Sequence, residues 1–275
     1  MAVLAHPDDE SLGFGGTLAK YIAEGIETSL VTATLGQRGR FHGHPRDTAE
    51  HPGAHALAAI REQELRHAVA ALGIADLTIL DYMDTELDRA PHTKVIGEIA
   101  SHIRRVRPDV VITFGPEGGY GHPDHIAISQ FATAAVTAAA DTAFDRARGA
   151  EPHRVSKLYY LAWDDSLWAA YQEAFGVIVS KVDGVSRQAT AWPSWAITTV
   201  IDTRDAWPVV WKAVSCHTSQ ISAYEKLAHL TAEHHAALWG AQSFYRVFSL
   251  VNGGRQRERD LFAGLRETRD AQERR

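Results

Sequence analysis

The sequence of 275 residues is poor in cysteine, in long apolar runs and in excess positive charge. Its single cysteine, Cys216, excludes an intrachain disulfide and a zinc site built from thiolates. The same scarcity, with no charged leader at the N-terminus, leads us to expect a cytoplasmic protein. No segment is apolar over the roughly 20 residues that a membrane-spanning helix needs, so no membrane span is expected. The formal net charge of −6 gives no sign of a nucleic-acid partner.

The densest group of chemically active side chains is the segment His6-Pro7-Asp8-Asp9-Glu10. It follows a short apolar run and precedes glycines and an amphipathic segment, which is typical of the first βα unit of an α/β sheet, where ligands bind at the strand's carboxyl end. Its carboxylates repel one another unless a cation lies among them. His6 and Asp9 form an N,O ligand pair suited to zinc, with Asp8 beside them as a base. Taken alone, the segment fits a solvated Pro-Asp-Asp turn equally well.

A second segment, His122-Pro123-Asp124-His125, repeats this arrangement after another apolar run, residues 110–114. His125 would complete a His/Asp/His set with His6 and Asp9, and three protein ligands leave the fourth position open for water, as catalytic zinc requires. Two such segments, each at the end of a predicted parallel strand, favour a metal site over a pair of unrelated turns.

Strands and helices alternate through the first part of the chain, which predicts an α/β, Rossmann-like, mostly parallel sheet with helices on both faces. The predicted strands cover residues 28–34, 77–80, 109–114 and 157–163, and the predicted helices cover 17–24, 56–72, 92–107 and 123–144. We see no repeat and no low-complexity linker, so we expect one domain over residues 1–275, with a core at 1–163 and a C-terminal α+β elaboration at 164–275. There the predicted strands are 177–179, 196–201 and 244–251, the helices are 168–175, 206–216 and 223–238, and residues 255–275 form a solvated, fraying helix.

Residues 35–55 are rich in Gly, Pro, Arg and His and show no periodicity. A loop of that length inside a compact domain is usually functional or disordered. We interpret it as a mobile flap over the site, with Gln37 and Arg38 at its root and Arg38 as a substrate contact. Its four histidines have no spacing that aims them at one point, so we do not expect a second metal site there.

Both His-Pro-Asp segments resemble the motifs of the LmbE-like/PIG-L de-N-acetylase family. The resemblance continues through residues 61–64, 72–74 and 80–84, and residues 213–220 are similar to a family pattern Ala-x-x-x-His-x-Ser-Gln. Members are zinc hydrolases that remove acetyl groups from N-acetylglucosaminyl compounds. The resemblance therefore implies a zinc-dependent deacetylase whose partner is a small amino sugar or its conjugate. Many members carry a glutamate where Gln37 stands, which puts the role of that position in doubt.

Amide hydrolysis needs a nucleophile, a stabilised oxyanion and a proton for the leaving amine. Asp8 is our candidate general base, and the resemblance implies the same role. His122 precedes His125 by three residues, so both can face one cavity, and we assign His122 to oxyanion stabilisation or proton donation. Asp124 would orient an imidazole, because histidine ligands usually donate their other N–H to such a group. Tyr120 would add a hydroxyl to the oxyanion.

The substrate contacts have alternative interpretations. Arg61 suits sugar hydroxyls or a phosphate, and the resemblance puts the matching arginine near the substrate, yet a salt bridge with Glu62 or Glu64 on its own helix is equally compatible. Asp84 would bind sugar hydroxyls or cap a turn. His217 would lie at the rim of the site or be a structural histidine.

Three other functions compete with an amino-sugar deacetylase. The first is an amidase of the same family that acts on a larger amide such as a thiol conjugate. The second is a nucleotide-binding turn at Gly13-Phe14-Gly15-Gly16, which lacks the Gly-x-Gly-x-x-Gly spacing. The third is a non-catalytic sugar-binding module, against which the presence of Asp8 beside a full ligand set speaks. A homo-oligomer is left open.

Overall fold

A computed structural model of the protein describes residues 1–144, 151–176, 179–182, 185–188, 191–221, 227, 229–254 and 256–266. Its main feature is a seven-stranded sheet in the order β3-β2-β1-β4-β5-β9-β8. The strands are β1 (Ala2–Leu4), β2 (Ser29–Thr34), β3 (Asp76–Tyr82), β4 (Val110–Phe114), β5 (Lys157–Leu161), β8 (Thr199–Asp202) and β9 (Ala241–Ser249). A separate hairpin pairs β6 (Ser180–Val182) with β7 (Val185–Arg187).

The first five strands run parallel, and β9 and β8 are antiparallel additions at one edge. β1, β2 and β4 are buried along their whole length, as expected for strands covered on both faces. The predicted Rossmann-like sheet with helices around it is therefore confirmed.

Within the described residues, six α-helices lie between the parallel strands and four follow β5. They are α1 (Asp9–Leu12), α2 (Gly15–Ala23), α3 (Ala54–Leu72), α4 (His92–Val106), α5 (Gly118–Gly121), α6 (Pro123–Ala140), α7 (Asp165–Phe175), α8 (Trp207–Val214), α9 (Thr218–Ile221) and α10 (Ala232–Trp239). From β1 the chain first builds outward through β2 to β3, then crosses back to β4 and β5 on the other side of β1. Because such crossovers are right-handed, α2 and α3 cover one face of the sheet and α4 and α6 the other.

The C-terminal part completes the sheet. β9 lies against β5 with Tyr160 opposite Tyr245, and β8 lies against β9. Two predicted strands there are displaced, since 196–201 is observed as Thr199–Asp202 and 244–251 as Ala241–Ser249. The predicted strand 177–179 and helix 223–238 fall partly outside the described residues, although α10 occupies the end of that helix.

The tail differs from its prediction over residues 256–266, which form turns packed on the sheet. Leu261 and Glu258 are buried, and Glu258 accepts hydrogen bonds from Lys157 Nζ at 2.7 Å and from Tyr159 Oη at 2.8 Å. A lysine and a tyrosine buried on β5 need these partners, which the charged sequence of the tail did not reveal. The remaining residues of the predicted tail helix, 267–275, lie outside the described residues. Within the described residues, no helix combines the length and apolar character that crossing a membrane requires.

Candidate active site and metal centre

The two His-Pro-Asp segments lie side by side at the carboxyl edge of the sheet. β1 pairs with β2 on one side, through Val3 and Val31, and with β4 on the other, through Ala2 and Ile112. The direction of strand order reverses between β1 and β4, which is the position where open α/β sheets bind ligands.

Three predicted metal ligands meet at one point. His6 Nδ1 lies 3.1 Å from His125 Nε2, and His125 Nε2 lies 3.2 Å from Asp9 Oδ1. The other oxygen of Asp9, Oδ2, lies 3.7 Å from His6 Nδ1, and all three side chains, called the metal triangle below, are buried. Ligand atoms about 2.1 Å from a tetrahedral metal ion lie about 3.4 Å from one another, so the separations of His125 Nε2 from His6 Nδ1 and from Asp9 Oδ1 are close to those of a zinc-type site.

The outer nitrogens of both imidazoles are bound by acceptors. His125 Nδ1 lies 3.2 Å from the carbonyl oxygen of Gly118, which can only accept, so Nδ1 carries a proton. His6 Nε2 lies 3.1 Å from Asp124 Oδ2 and 3.2 Å from Asp84 Oδ1, so Nε2 carries a proton. These contacts turn His6 Nδ1 and His125 Nε2 toward each other, as in metal-ligating histidines held by carboxylates and carbonyls.

In the neutral rings, two nitrogen lone pairs therefore face each other, and Asp9 adds its Oδ1. These three buried acceptor atoms repel one another, and a bound cation removes that repulsion. The other oxygen, Asp9 Oδ2, accepts the backbone N–H groups of Ala5 at 3.2 Å and His6 at 2.8 Å, which favours the ionised carboxylate. The residues present thus fit a metal ion.

His122 offers a second ligand set. One nitrogen from each of His6, His122 and His125 lies within 4.8 Å of the others, as do ligand atoms of His6, Asp84 and Asp124. His122 Nδ1, however, accepts the backbone N–H of Asp124 at 3.2 Å and caps α6. Its other nitrogen, Nε2, then carries the proton in the neutral ring, which suits a hydrogen-bond donor better than a ligand. Burial and the nearby His6 and His125 lower the pKa of His122 to about 3.

Asp8 stands between the metal triangle and α3. Its backbone is in the left-handed region, with φ 100°, and it occupies the N-cap position of α1 without a capping hydrogen bond from its side chain. Its Oδ2 lies 3.2 Å from Nη2 of Arg61. Burial raises the pKa of Asp8 to about 6, against the opposing charge of Arg61. Such a carboxyl exchanges a proton close to neutral pH, as a general base must.

Tyr120 is half-buried, with its ring centroid 5.2 Å from that of His125 and 6.0 Å from that of His122. Burial raises the pKa of Tyr120 above its usual range, so its hydroxyl keeps a proton to donate.

The predicted substrate contacts lie against the same centre. Arg61 donates to the carbonyl oxygens of Gly36 and Pro7 as well as to Asp8. Asp84 accepts the backbone N–H of Arg38 at 3.0 Å in addition to its contact with His6. The guanidinium of Arg38 binds Glu86 and the hydroxyl of Thr85.

Asp124 is fully buried and holds three elements together. In addition to His6, it accepts the backbone N–H groups of Thr85 at 2.7 Å and Leu87 at 3.2 Å. The loop after β3 is thereby tied to the imidazole of His6.

The long loop at residues 35–55 is attached at several points. Gln37 bridges to the next loop through Tyr82 O and the N–H of Asp84. His51 Nε2 lies 3.1 Å from Gly39 O. Among the described residues, no histidine of this loop belongs to the group of His6, His122 and His125 or to the group of His6, Asp84 and Asp124. Its mobility stays a prediction.

Sequence reasoning gave the buried Glu10 no role of its own and named the buried Glu64 only as a possible salt-bridge partner of Arg61, which instead pairs with Asp8. Glu10 contacts Asp8 and His217, and Glu64 binds Thr218 and Ser219. The signal for Glu10 was its place inside the first motif, whereas nothing in the sequence linked Glu64 to residues more than 150 positions away.

Known proteins place these features in a family. Over 298 residues the chain is 32% identical to 1D-myo-inositol 2-acetamido-2-deoxy-alpha-D-glucopyranoside deacetylase of Thermobispora bispora, covering 96% of this chain and 97% of that protein. Residues 1–136 match the PIG-L family, described as GlcNAc-PI de-N-acetylase. The chain belongs to the PIG-L (LmbE-like) family. The expectation of this family, and of an enzyme of the deacetylase class, is confirmed.

Solved structures carry the same PIG-L fold. N,N'-diacetylchitobiose deacetylase of Pyrococcus horikoshii superposes with a TM-score of 0.66 at 23% identity, over 90% of this chain and 82% of that one. The 4-carboxy-2-hydroxymuconate hydratase of Pseudomonas putida superposes with a TM-score of 0.65 at 17% identity, over 92% and 98%. One of these proteins is a deacetylase and the other a hydratase, so the shared fold does not fix the reaction.

Proposed function

We propose that this PIG-L protein is a zinc-dependent hydrolase that removes the acetyl group from an N-acetylglucosamine-type amino sugar or its conjugate. The observation that carries the proposal is the convergence of His6 Nδ1, His125 Nε2 and Asp9 Oδ1 beside the buried Asp8. Relatives that are 31–35% identical over nearly the whole chain carry the name of an amino-sugar deacetylase, which supports the substrate class.

The metal would be held by His6, Asp9 and His125, with Asp124 and Asp84 fixing the ring of His6. When bound, zinc lowers the pKa of water to about 7 and polarises the acetyl carbonyl. Nitrogen and carboxylate ligands at these separations suit zinc. The absence of a cysteine ligand is compatible with a catalytic zinc site.

Asp8 would move the proton. Its carboxylate accepts a proton from the attacking water as the oxygen adds to the acetyl carbon. The resulting carboxylic acid returns that proton to the sugar nitrogen as the C–N bond breaks, so acetic acid and the neutral amine leave, and transfer of the remaining acid proton to the amine gives acetate and the ammonium form. The ion pair with Arg61 fixes the direction of the Asp8 carboxylate.

His122 would stabilise the oxyanion. With Nδ1 engaged by the Asp124 N–H, the neutral ring presents Nε2–H as a donor to the developing negative oxygen. A pKa near 3 keeps this ring neutral at physiological pH, so of its two predicted roles we favour oxyanion stabilisation over proton donation. The Tyr120 hydroxyl would be a second donor.

For the substrate we propose inositol-linked N-acetylglucosamine, because it is the compound that appears in the names of the curated relatives. Arg61, Asp84 and Arg38 are the proposed contacts for its hydroxyls, since Arg61 pairs with Asp8, Asp84 contacts His6 and the N–H of Arg38 donates to Asp84. The loop at 35–55 would control access. A cytoplasmic location and the single-domain organisation remain predictions.

Metal analysis and a deacetylation screen test this function together. Zinc-loaded protein is assayed for acetate release from free N-acetylglucosamine, from its myo-inositol conjugate and from a bulkier N-acylated thiol conjugate. We expect about one zinc per chain and the highest kcat/KM with the inositol conjugate. Preference for the thiol conjugate would make the protein an amidase for larger amides, and binding without acetate release would make it a sugar-binding module.

A further inference from the structure

Glu10 is a fully buried carboxylate that neither binds the proposed metal nor moves a proton in the scheme above. Its Oε2 accepts the backbone N–H of Asp8 at 2.9 Å. Its Oε1 accepts from Nε2 of His217 at 2.8 Å and from the hydroxyl of Ser11. One side chain therefore connects the proposed base to a residue more than 200 positions later in the chain.

The backbone of Asp8 needs such a support. Its φ of 100° with ψ of −25° lies in a region that residues with a Cβ rarely adopt, at a cost of about 1–3 kcal/mol. Strained backbone persists when the surroundings fix it from several sides. Arg61 holds one side through Pro7 O and Asp8 Oδ2, and Glu10 holds the backbone N–H on the other.

His217 is itself rigidly placed. It lies on the turn between α8 and α9 and is buried, with 1% of its surface exposed. The next two residues bind Glu64 on α3, through the Thr218 hydroxyl at 2.7 Å and the Ser219 N–H at 2.6 Å. Within the described part of the chain its Nδ1 has no hydrogen-bond partner, so Nε2 makes the ring's one hydrogen bond there, to Glu10.

Helix α3 contacts both Asp8 and the turn that carries His217. Glu64 follows Arg61 by three residues on α3, so the two side chains share one helix face. The turn at residues 217–220 thus touches the helix that holds the Asp8 carboxylate and, through Glu10, the Asp8 backbone. The backbone N–H of His42, in the loop at residues 35–55, donates to Ser219 O in this turn at 2.7 Å.

We propose that Glu10 and His217 are positioning residues for Asp8: they fix its left-handed backbone so that the carboxylate faces the reacting water. The proposal rests on the proposed function in taking Asp8 as the general base. A displacement of about 1 Å in a positioned group can cost about 100-fold in rate, so removing the Glu10–His217 bond should lower kcat rather than raise KM.

The test compares His217→Leu, which removes the donor, with His217→Gln, which keeps an N–H that can reach Glu10. Both variants are made in the full chain, loaded with zinc and assayed with the best substrate of the screen. We expect kcat to fall about 10–100-fold in His217→Leu, with KM and zinc content within twofold of wild type, and to recover most of that loss in His217→Gln. Equal losses in the two variants, or a loss carried by KM or zinc, would overturn the proposal.

The matched control is His235→Leu, which removes another buried histidine of the C-terminal part. His235 packs among Trp207, Trp211 and Trp239. We expect its kcat to stay within twofold of wild type. The double variant Glu10→Gln/His217→Leu should be no slower than the slower single variant, because both break one bond. Additive losses would contradict the shared role.

A crystal structure of His217→Leu separates this inference from the proposed function. We expect Asp8 to leave the left-handed region, or its carboxylate to move by about 1 Å, while His6, Asp9 and His125 keep their separations. If wild type releases no acetate from any substrate, the proposed function fails, and the position of Asp8 in the variant still decides the inference. An unchanged Asp8 in that structure would overturn it.

Discussion

The two His-Pro-Asp segments look alike in sequence, yet the protein uses them differently. In the first segment, the aspartate after the proline, Asp8, faces Arg61 and the candidate reaction centre. In the second, the aspartate after the proline, Asp124, turns away from the metal triangle and holds the outer nitrogen of His6. The same residue type therefore contacts a guanidinium in one loop and an imidazole in the other, and only the first is the proposed general base.

The difference lies in where each helix begins. α6 begins at Pro123 itself, so Asp124 already lies in the first helical turn, with His122 as the cap. α1 begins two residues after its proline, at Asp9, so Asp8 becomes the cap and adopts a positive φ. The two helices thus begin two residues apart relative to their prolines, and the corresponding aspartates lie on different sides of the site.

Removing a ligand from either loop should have the largest effect. We expect His6→Ala and His125→Ala to lose nearly all bound zinc and activity, because two ligands seldom retain a catalytic metal. His122→Ala should keep stoichiometric zinc, since its Nδ1 caps α6. Elemental analysis after dialysis measures this. If zinc is lost from His122→Ala but retained in Asp9→Asn, the third ligand is His122 and not Asp9.

The adjacent carboxylates of the first loop should then separate base from ligand. Asp8→Asn should lower kcat by about 10²–10⁴-fold with zinc content unchanged. Asp9→Asn replaces an anionic ligand by a weak neutral one, so zinc affinity should drop first and excess zinc should partly restore activity. Titrating both variants with zinc during the assay tests this. Rescue of Asp8→Asn by zinc would reverse the two roles.

The counterpart of Asp8 in the second loop should have a smaller effect of another kind. Asp124→Asn keeps the side-chain shape but weakens the hold on His6 Nε2, so zinc affinity should fall about 10–100-fold. Competition with a chelator measures the Kd. The matched control is Asp88→Asn, which changes an exposed aspartate in the loop after β3 and should leave the Kd unchanged. A loss of kcat at full zinc occupancy would instead give Asp124 a part in proton transfer.

The smallest expected effect is a pH dependence that distinguishes the loops. Burial raises the pKa of Asp8 to about 6, and a base must be deprotonated, so kcat/KM should fall about tenfold for each pH unit below that value. His122, with its pKa near 3, should not titrate in this range. A profile from pH 4.5 to 8 at saturating zinc measures it. A flat profile down to pH 4.5 would argue against Asp8 as the base.

The centre of the parallel sheet could be predicted closely because β1, β2 and β4 are buried along their whole length. The predicted strand at 28–34 is observed as Ser29–Thr34, and 109–114 as Val110–Phe114. The antiparallel strands β8 and β9 were displaced by three residues at their starts. Their ends depend on pairing with β5 and on the tail that packs through Glu258, and neither partner is near in sequence.

Sequence alone indicated the residues of the candidate centre: His6, Asp9 and His125 at the ends of two parallel strands, with the carboxylate of Asp8 beside them. Residue types and strand ends are local properties, so the pattern carries them. Tertiary structure decided what each carboxylate faces. Asp8 faces Arg61, Asp124 faces His6 and Glu10 faces His217, because these partners come from other helices and loops brought together when the sheet forms.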